Sequence, residues 1–425
     1  MDARQTFFGS RDSCCFPRHV LNHTDPPMAV DVPLSPQADS PSASTGLAPI
    51  ASVTAWLGML FVLLMLLVVV GGYVRLSGSG LSIPDWPLIR IGDQWSVLPP
   101  TSESGWLAVR ERYDHDQAAL LRRHNEGAIG LGSFGSMAPD MVTFKRLFIT
   151  EWCHRFVAAL VAVVAAGALM VVLRHRSLRQ RIGTCLGSAC ALIIFQAILG
   201  GILVKSGTST HWLFLHLGTA ALIISLVVWS VMRLLAHVDH QISADVRRDR
   251  AMVRRWTQVA IALVWLQIML GALVAGSRVT GHDGVNAGDF VSTWPLMHQR
   301  LIPAYLWNGA QSWSWNLLDN ALLHQWMHRW FAWCAVFGVL AAWWSSRQAR
   351  PGLRLRLAMQ VSLTFLAVQA VLGIANVVLA TPILVSLAHL VMAMFLLSAL
   401  MLALHDARYE QPEVTPTPLP DGVRA

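Results

Sequence analysis

His154, His216, His328 and His389 are the side chains of this chain best placed to do chemistry. Gln196-Ala-Ile-Leu-Gly200 precedes His216, and Gln369-Ala-Val-Leu-Gly373 precedes His389. The Gln-to-His spacing is identical in the two copies. His154-Arg155 returns as His328-Arg329, and the offset between these copies matches that between His216 and His389 to within one position. Each histidine falls near the start of an apolar run. Counted to the far end of the run, His154 to Leu173 equals His328 to Arg347, and His216 to Arg233 equals His389 to Asp406. The two counts differ by only two positions. At about 1.5 Å per helical residue, the four rings share one layer to within roughly a turn. Ionisable side chains inside apolar runs are costly and mark function. Imidazole is a good ligand for haem iron, and one histidine from each of two helices in a bundle can clamp a porphyrin between them. Two pairs predict two haem sites. His211, His282, His298 and His324 have no counterpart at a matching place and read as ordinary structural histidines, although His324 shares a helix face with His328.

Glu151 breaks the symmetry. It stands three residues before His154 and four before Arg155, so all three share a helix face, whereas the matching position in the second half is Gln325, which cannot titrate. Metal ligation that repeats, beside acid/base chemistry that does not, suggests one catalytic site and one helper site. The plainer alternative is a glutamate at a helix start, where the macrodipole favours it. Arg75, Arg155 and Arg329 lie at the same level as the histidines. Their guanidinium groups suit cofactor carboxylates such as haem propionates, and equally suit lipid phosphates reached by snorkelling.

The elements that must hold these residues are membrane helices. Of 425 residues, 54% are hydrophobic and 13% charged, and the mean hydropathy is +0.49. That excludes an ordinary soluble domain and a disordered chain. The net charge of +8 is scattered between apolar runs, so it argues for orientation rather than nucleic-acid binding. Eight runs are long enough to span a bilayer, at about Trp56–Tyr73, Glu151–Leu173, Ile182–Val204, Trp212–Met232, Trp256–Ala275, Leu323–Trp344, Leu357–Ala380 and Ile383–Leu404. Their continuity argues against a β-barrel. The fold class is therefore an all-α polytopic membrane protein, with eight transmembrane helices in two pseudo-symmetric four-helix bundles. An even number of spans per copy makes the repeats parallel. A finer echo pairs Gly71-Gly72 and Ser77-Gly78 with Gly200-Gly201 and Ser206-Gly207, and Gln267-Ile-Met-Leu-Gly271 is a third glutamine–glycine copy. These glycines serve close helix packing or leave room for a flat ligand.

Fourteen arginines lie in three loops (positions 174–181, 233–255 and 347–356), against Lys205, Arg278 and Arg300 in the opposite short loops. The arginine-rich side is cytoplasmic by the positive-inside rule, both termini are inside, and the histidine layer is toward the outer face. The expected divisions are a disordered cytoplasmic tail over 1–48, a bundle over 49–235 with a long outer loop 76–150, a second bundle over 236–405, and a disordered tail over 406–425. Asp2, Asp12, Asp25, Asp31 and Asp39 make the first tail too acidic for a mitochondrial transit peptide, which favours the bacterial plasma (inner) membrane over the mitochondrial one. The six cysteines form no CxxC pattern, which argues against zinc.

The ordered set Gly71-Gly-Tyr-Val-Arg-Leu-Ser-Gly-Ser-Gly-Leu-Ser82, Glu151-Trp-Cys-His-Arg155, Thr293-Trp-Pro-Leu-Met297, Met327-His-Arg329 and Leu387-Ala-His389 resembles the haem A synthase family, over about Val53 to His405. The resemblance implies oxidation of one porphyrin methyl of haem O to a formyl, giving haem A, by successive hydroxylations with water as the oxygen source. It implies that His154 and His216 flank the substrate haem, that His328 and His389 ligate a haem b relaying electrons, and that Glu151 is the acid/base near the methyl group. Haem O synthase and cytochrome oxidase assembly factors are the partners it implies. Some bacterial members carry a cysteine pair in the first outer loop. This chain has none there and resembles the branch lacking it, with Val97-Leu-Pro-Pro100, Ser102, Glu103 and Trp106 in keeping. Gly127–Asp140 reads as an insertion, and His298 stands where an acidic residue is usual. A non-catalytic di-haem b cytochrome is the alternative function, but it leaves the one-sided Glu151 unexplained. A transporter using the histidines as proton relays is weaker, because no helix is clearly broken mid-membrane.

Overall fold

The computed structural model describes residues 44–126, 138–236, 244–277, 293–297, 299–349 and 351–410. Cys14, Cys15, Arg278, His282, His298, Arg350 and most of the 127–140 insertion lie outside the described residues, as do the tails up to residue 43 and from 411 on. Among the described residues, eight helices are long: α1 (Ser44–Ser77), α3 (Met141–Arg174), α4 (Arg176–Lys205), α5 (Thr210–Leu235), α7 (Ala251–Gly276), α9 (Ala321–Gln348), α10 (Leu353–Val378) and α11 (Ile383–Tyr409). Shorter helices are α2 (Glu103–Asn125), α6 (Ala244–Asp249) and α8 (Trp313–Leu318). Seven of the long helices are also apolar enough to cross a membrane, so the chain is a polytopic all-α membrane protein. The remaining long helix, α9, carries five tryptophans with His324, Gln325, His328 and Arg329, which lowers its hydropathy.

The helices pack as consecutive neighbours: α3 on α4, α4 on α5, α7 on α9, α9 on α10 and α10 on α11. α11 also returns to α7, and α5 touches both α7 and α11. At these crossings small residues let backbones approach. A Cβ at Gly218 would sit 2.9 Å from Met269 of α7, and one at Gly276 would sit 2.8 Å from Thr210. α1 meets α11 at Gly72, where a Cβ would sit 2.8 Å from Leu390.

The helices outrun the apolar stretches at both ends of the chain. α1 starts at Ser44, inside the expected first tail, and α11 continues to Tyr409, past the expected boundary at 406. Polar contacts between helix ends explain the second extension. Arg354 pairs with Asp406 at 3.1 Å, and Arg250 donates to the Glu410 carbonyl at 2.6 Å. The Glu410 carboxylate accepts from the Arg354 and Leu355 backbone N–H groups that open α10, at 2.7 and 3.0 Å. Burial raises the Glu410 carboxyl above its ordinary range.

The segment between α1 and α3 is built rather than merely long. Strands β1 (Ile89–Ile91) and β2 (Gln94–Ser96) form an antiparallel hairpin, followed by α2. Ile83, Ile89, Val109, Tyr113, Phe144, Leu147 and Phe148 close a small core, with Trp106 edge-on to Phe148. The Tyr113 hydroxyl accepts from the Ala138 N–H at 3.0 Å. Asp140 caps α3, accepting from the Thr143 N–H at 2.7 Å, and that bond holds its carboxyl below the usual range.

Candidate haem-ligating site

Each of the four histidines faces a glycine on the preceding long helix. A Cβ added at Gly71 of α1 would lie 3.0 Å from His154 Nε2 of α3. At Gly200 of α4 it would lie 3.6 Å from His216 of α5, at Gly271 of α7 3.0 Å from His328 of α9, and at Gly373 of α10 3.0 Å from His389 of α11. The glycines therefore make room for the imidazoles. The repeating unit is finer than half the chain: a glycine helix followed by a histidine helix, four times over. The turns repeat too. Gly78 (φ 73°), Gly207 (φ 72°) and Ala380 (φ 56°) all take up left-handed backbone just after a glycine helix. At the first two, glycine does so without steric cost.

His328 and His389 come together, with ring centroids 6.4 Å apart and planes at 80°. Two imidazoles this close could hold one haem iron between them. His328 and His389 therefore form one pair. His154 and His216 each face a glycine of the preceding long helix in the same way. Buried nitrogens with no partner, Nδ1 of His216 and of His389, leave donor capacity for a ligand. The residues present fit a haem held by two histidines in each half. Replacing Gly373 by alanine should push the His389 ring by several tenths of an ångström and lower the haem content of the purified protein severalfold, read from the pyridine haemochrome. An unchanged content would mean the ring needs no such room.

Glu151 is buried at the first pair. Its Oε2 accepts from Ser82 Oγ and from the Ile83 N–H, both at 2.9 Å, and its Oε1 is 2.6 Å from Arg155. Arg155 also donates to the carbonyls of Ile83 and Asp85, each at 2.6 Å. This ties the chain leaving α1 to the middle of α3, just ahead of the Trp86–Pro87 cis bond. Arg329 donates in the same way to the Thr293 carbonyl at 2.8 Å, ahead of the matching cis bond Trp294–Pro295. Trp152 and Trp326 repeat a further contact: each indole N–H donates to a carbonyl of the neighbouring loop, at Val97 (2.9 Å) and Leu301 (3.0 Å). Sequence reasoning missed this tryptophan pair, although its offset equals that of His154 and His328.

Arg75 lies elsewhere. It donates to the carbonyls of Ala275 and Gly276 at 2.8 and 2.6 Å, at the C-terminus of α7, where a cation is favoured by the dipole. It thus joins the first half to the second. His324 is fully buried between Ser277 Oγ (3.0 Å) and the Leu317 carbonyl (2.9 Å), as a structural histidine would be. His211 lies 3.4 Å from Ser209 Oγ.

Apolar helices in hairpin succession, with four histidines each set against a glycine, define a polytopic helical membrane protein built from repeated glycine–histidine helix pairs. Residues 54–401 match the family model described as cytochrome oxidase assembly protein, COX15-CtaA. The chain belongs to that family. Similar proteins named heme A synthase include that of Rhizorhabdus wittichii, 33% identical over 85% of this chain and 94% of the relative. The Paracoccus denitrificans protein is 31% identical, over 84% and 88%, and that of Allorhizobium ampelinum 34%, over 79% and 84%.

Proposed function

We propose that this protein is a haem A synthase of the bacterial inner membrane, converting the methyl group of haem O to the formyl of haem A. The observation that carries the reading is the position of Glu151: a buried carboxylate three residues from His154, in only one of two otherwise matching histidine pairs. Its relatives' names agree. In this reading eight helices span the membrane as two four-helix bundles, α9 included, with both termini cytoplasmic and the histidine layer toward the outer face.

His154 and His216 hold the substrate haem O, and Gly71 and Gly200 give their rings room to do so. Converting a methyl and one water to a formyl releases four protons and four electrons in all. Glu151 accepts protons at its carboxylate, beside the reacting edge. Ser82, Ile83 and Arg155 fix that carboxylate in place, so little reorganisation accompanies the transfer. The packed segment of β1, β2 and α2 covers this end of α3 and restricts water. His328 and His389 would hold haem b, which when bound supplies one-electron chemistry, passing the four electrons one at a time to an external oxidant.

The test is chemical. Cells supplied with haem O and expressing the protein should yield extractable formyl-bearing haem, absent from cells with the empty vector. Recovery of only haem B and haem O would reduce the chain to a di-haem cytochrome.

A further inference from the structure

At the arginine-rich end of α9, Arg347 stands about 28 Å along the helix from His328. There the turn into α10 walls a cavity of about 300 Å³. Trp343, Ser346 and Arg347 line it from α9, and Arg356, Met359 and Gln360 from α10. None of the lining residues is acidic, so the two guanidinium groups set the sign of the cavity. Ser346 is already engaged, donating to the Trp343 carbonyl at 2.7 Å. The Trp343 indole is the informative group, because its N–H is buried and has no acceptor among the described residues. A buried donor left without an acceptor is costly and calls for an explanation. The Arg347 guanidinium lies over the same ring, 5.2 Å from its centroid, where the π-face favours a cation.

An unmatched donor and two positive charges at one cavity ask for the same partner, an anion with several acceptor oxygens. Trp344, Leu353 and Leu357, each next to a lining residue or one turn from it, are exposed. They give the cavity an apolar flank. We propose that it binds the phosphodiester headgroup of one anionic phospholipid of the phosphatidylglycerol kind. The Trp343 N–H, Arg347 and Arg356 donate to the phosphate oxygens, and the Gln360 amide serves the headgroup hydroxyls. The acyl chains lie along Trp344, Leu353 and Leu357. Basic pockets between membrane helices recognise anionic headgroups in this way. A free phosphate shares the charge but gains nothing from the apolar flank. The site lies at the far end of α9 from His328 and stands whether or not the histidines bind haem.

The test is native mass spectrometry of the full-length protein in detergent, titrated with dioctanoyl phosphatidylglycerol, dioctanoyl phosphatidylcholine or glycerol 3-phosphate. Wild type should retain one phosphatidylglycerol at far lower concentration than phosphatidylcholine, and no glycerol 3-phosphate. Trp343→Phe keeps the ring beneath Arg347 but removes the N–H. Its affinity for phosphatidylglycerol should fall about tenfold, as when a hydrogen bond to a charged group is lost. Arg347→Gln with Arg356→Gln should abolish the adduct. Arg248→Gln with Arg255→Gln removes the same charge from α6 and α7 and should leave the adduct intact. Equal loss in the two double variants would reduce the effect to general attraction by basic loops and overturn the site. Unaltered binding by Trp343→Phe, equal retention of the two lipids, or no adduct in wild type would overturn it too. Glycerol 3-phosphate held as tightly as the lipid would replace the lipid assignment with a soluble phosphate. Should the double arginine variant fail to fold, the conservative Trp343→Phe decides alone.

Discussion

His389→Gly should empty the second haem site, and added imidazole should refill it. The ring of His389 lies opposite Gly373 and faces His328 across 6.4 Å. Removing it opens a ring-sized space on α11 without disturbing any neighbouring backbone. Haem held by one histidine alone should bind at least about a hundredfold more weakly, since even outer partners of a ligand contribute ten- to a hundredfold. Purified His389→Gly should therefore show the loss of one low-spin haem signal, and, on the proposed reading in which this haem takes up the electrons, formyl-haem production should stop. Millimolar imidazole should restore the spectrum. A full complement of low-spin haem in the variant, without imidazole, would remove His389 from the ligand set.

The histidines were legible for a physical reason. In a chain with so few charges, an ionisable group inside an apolar run stands out, and repetition at a near-constant offset pairs them. The glutamine–glycine motif was legible as a repeat but not as a contact. Only the packed helices show that the glycine faces a ring and the glutamine reaches the same histidine helix. The contacts of Arg75 with the carbonyls of Ala275 and Gly276 were not legible, because a backbone carbonyl has no sequence signature. The same blindness covers Trp152 and Trp326, whose acceptors are loop carbonyls. Helix ends failed differently. A hydropathy boundary marks where lipid stops, while α11 stops only after Asp406 and Glu410 have met Arg354 and the start of α10. The hairpin and α2 were hidden because their core is small and their surface polar.

These contacts also change how the arginines work. Arg155 and Arg329 each hold the chain at a Trp-Pro turn, at 2.6 and 2.8 Å from the preceding carbonyl. Cofactor carboxylates would have to share guanidinium groups already engaged with the backbone. Both arginines fix the chain just ahead of a Trp-Pro turn. Glu151 and Gln325 occupy matching positions in the two halves, so exchanging one for the other changes charge with little change of side-chain size.

That exchange gives the sharpest test of chemistry. Glu151→Gln should keep both haems and lose conversion of haem O by about 10²–10⁴-fold, the range for loss of a general acid/base. The amide oxygen can still accept from the Ile83 N–H and Ser82 Oγ, and Arg155 keeps the Ile83 and Asp85 carbonyls. Glu151→Ala is a poorer probe. It strands the buried Ile83 N–H, at about 1–3 kcal/mol, while Ser82 Oγ keeps the Ser79 carbonyl, and the loop would move to relieve it. A loss seen only in Glu151→Ala, with Glu151→Gln at full rate, would make the residue a structural clamp. The reciprocal variant Gln325→Glu should leave haem A formation at the wild-type level, because the second pair holds no methyl to be oxidised. Formyl-haem output measured by acid–acetone extraction from Glu151→Gln, Gln325→Glu and the double exchange separates these cases. Only the presence of a carboxylate at position 151 should matter, whatever stands at 325.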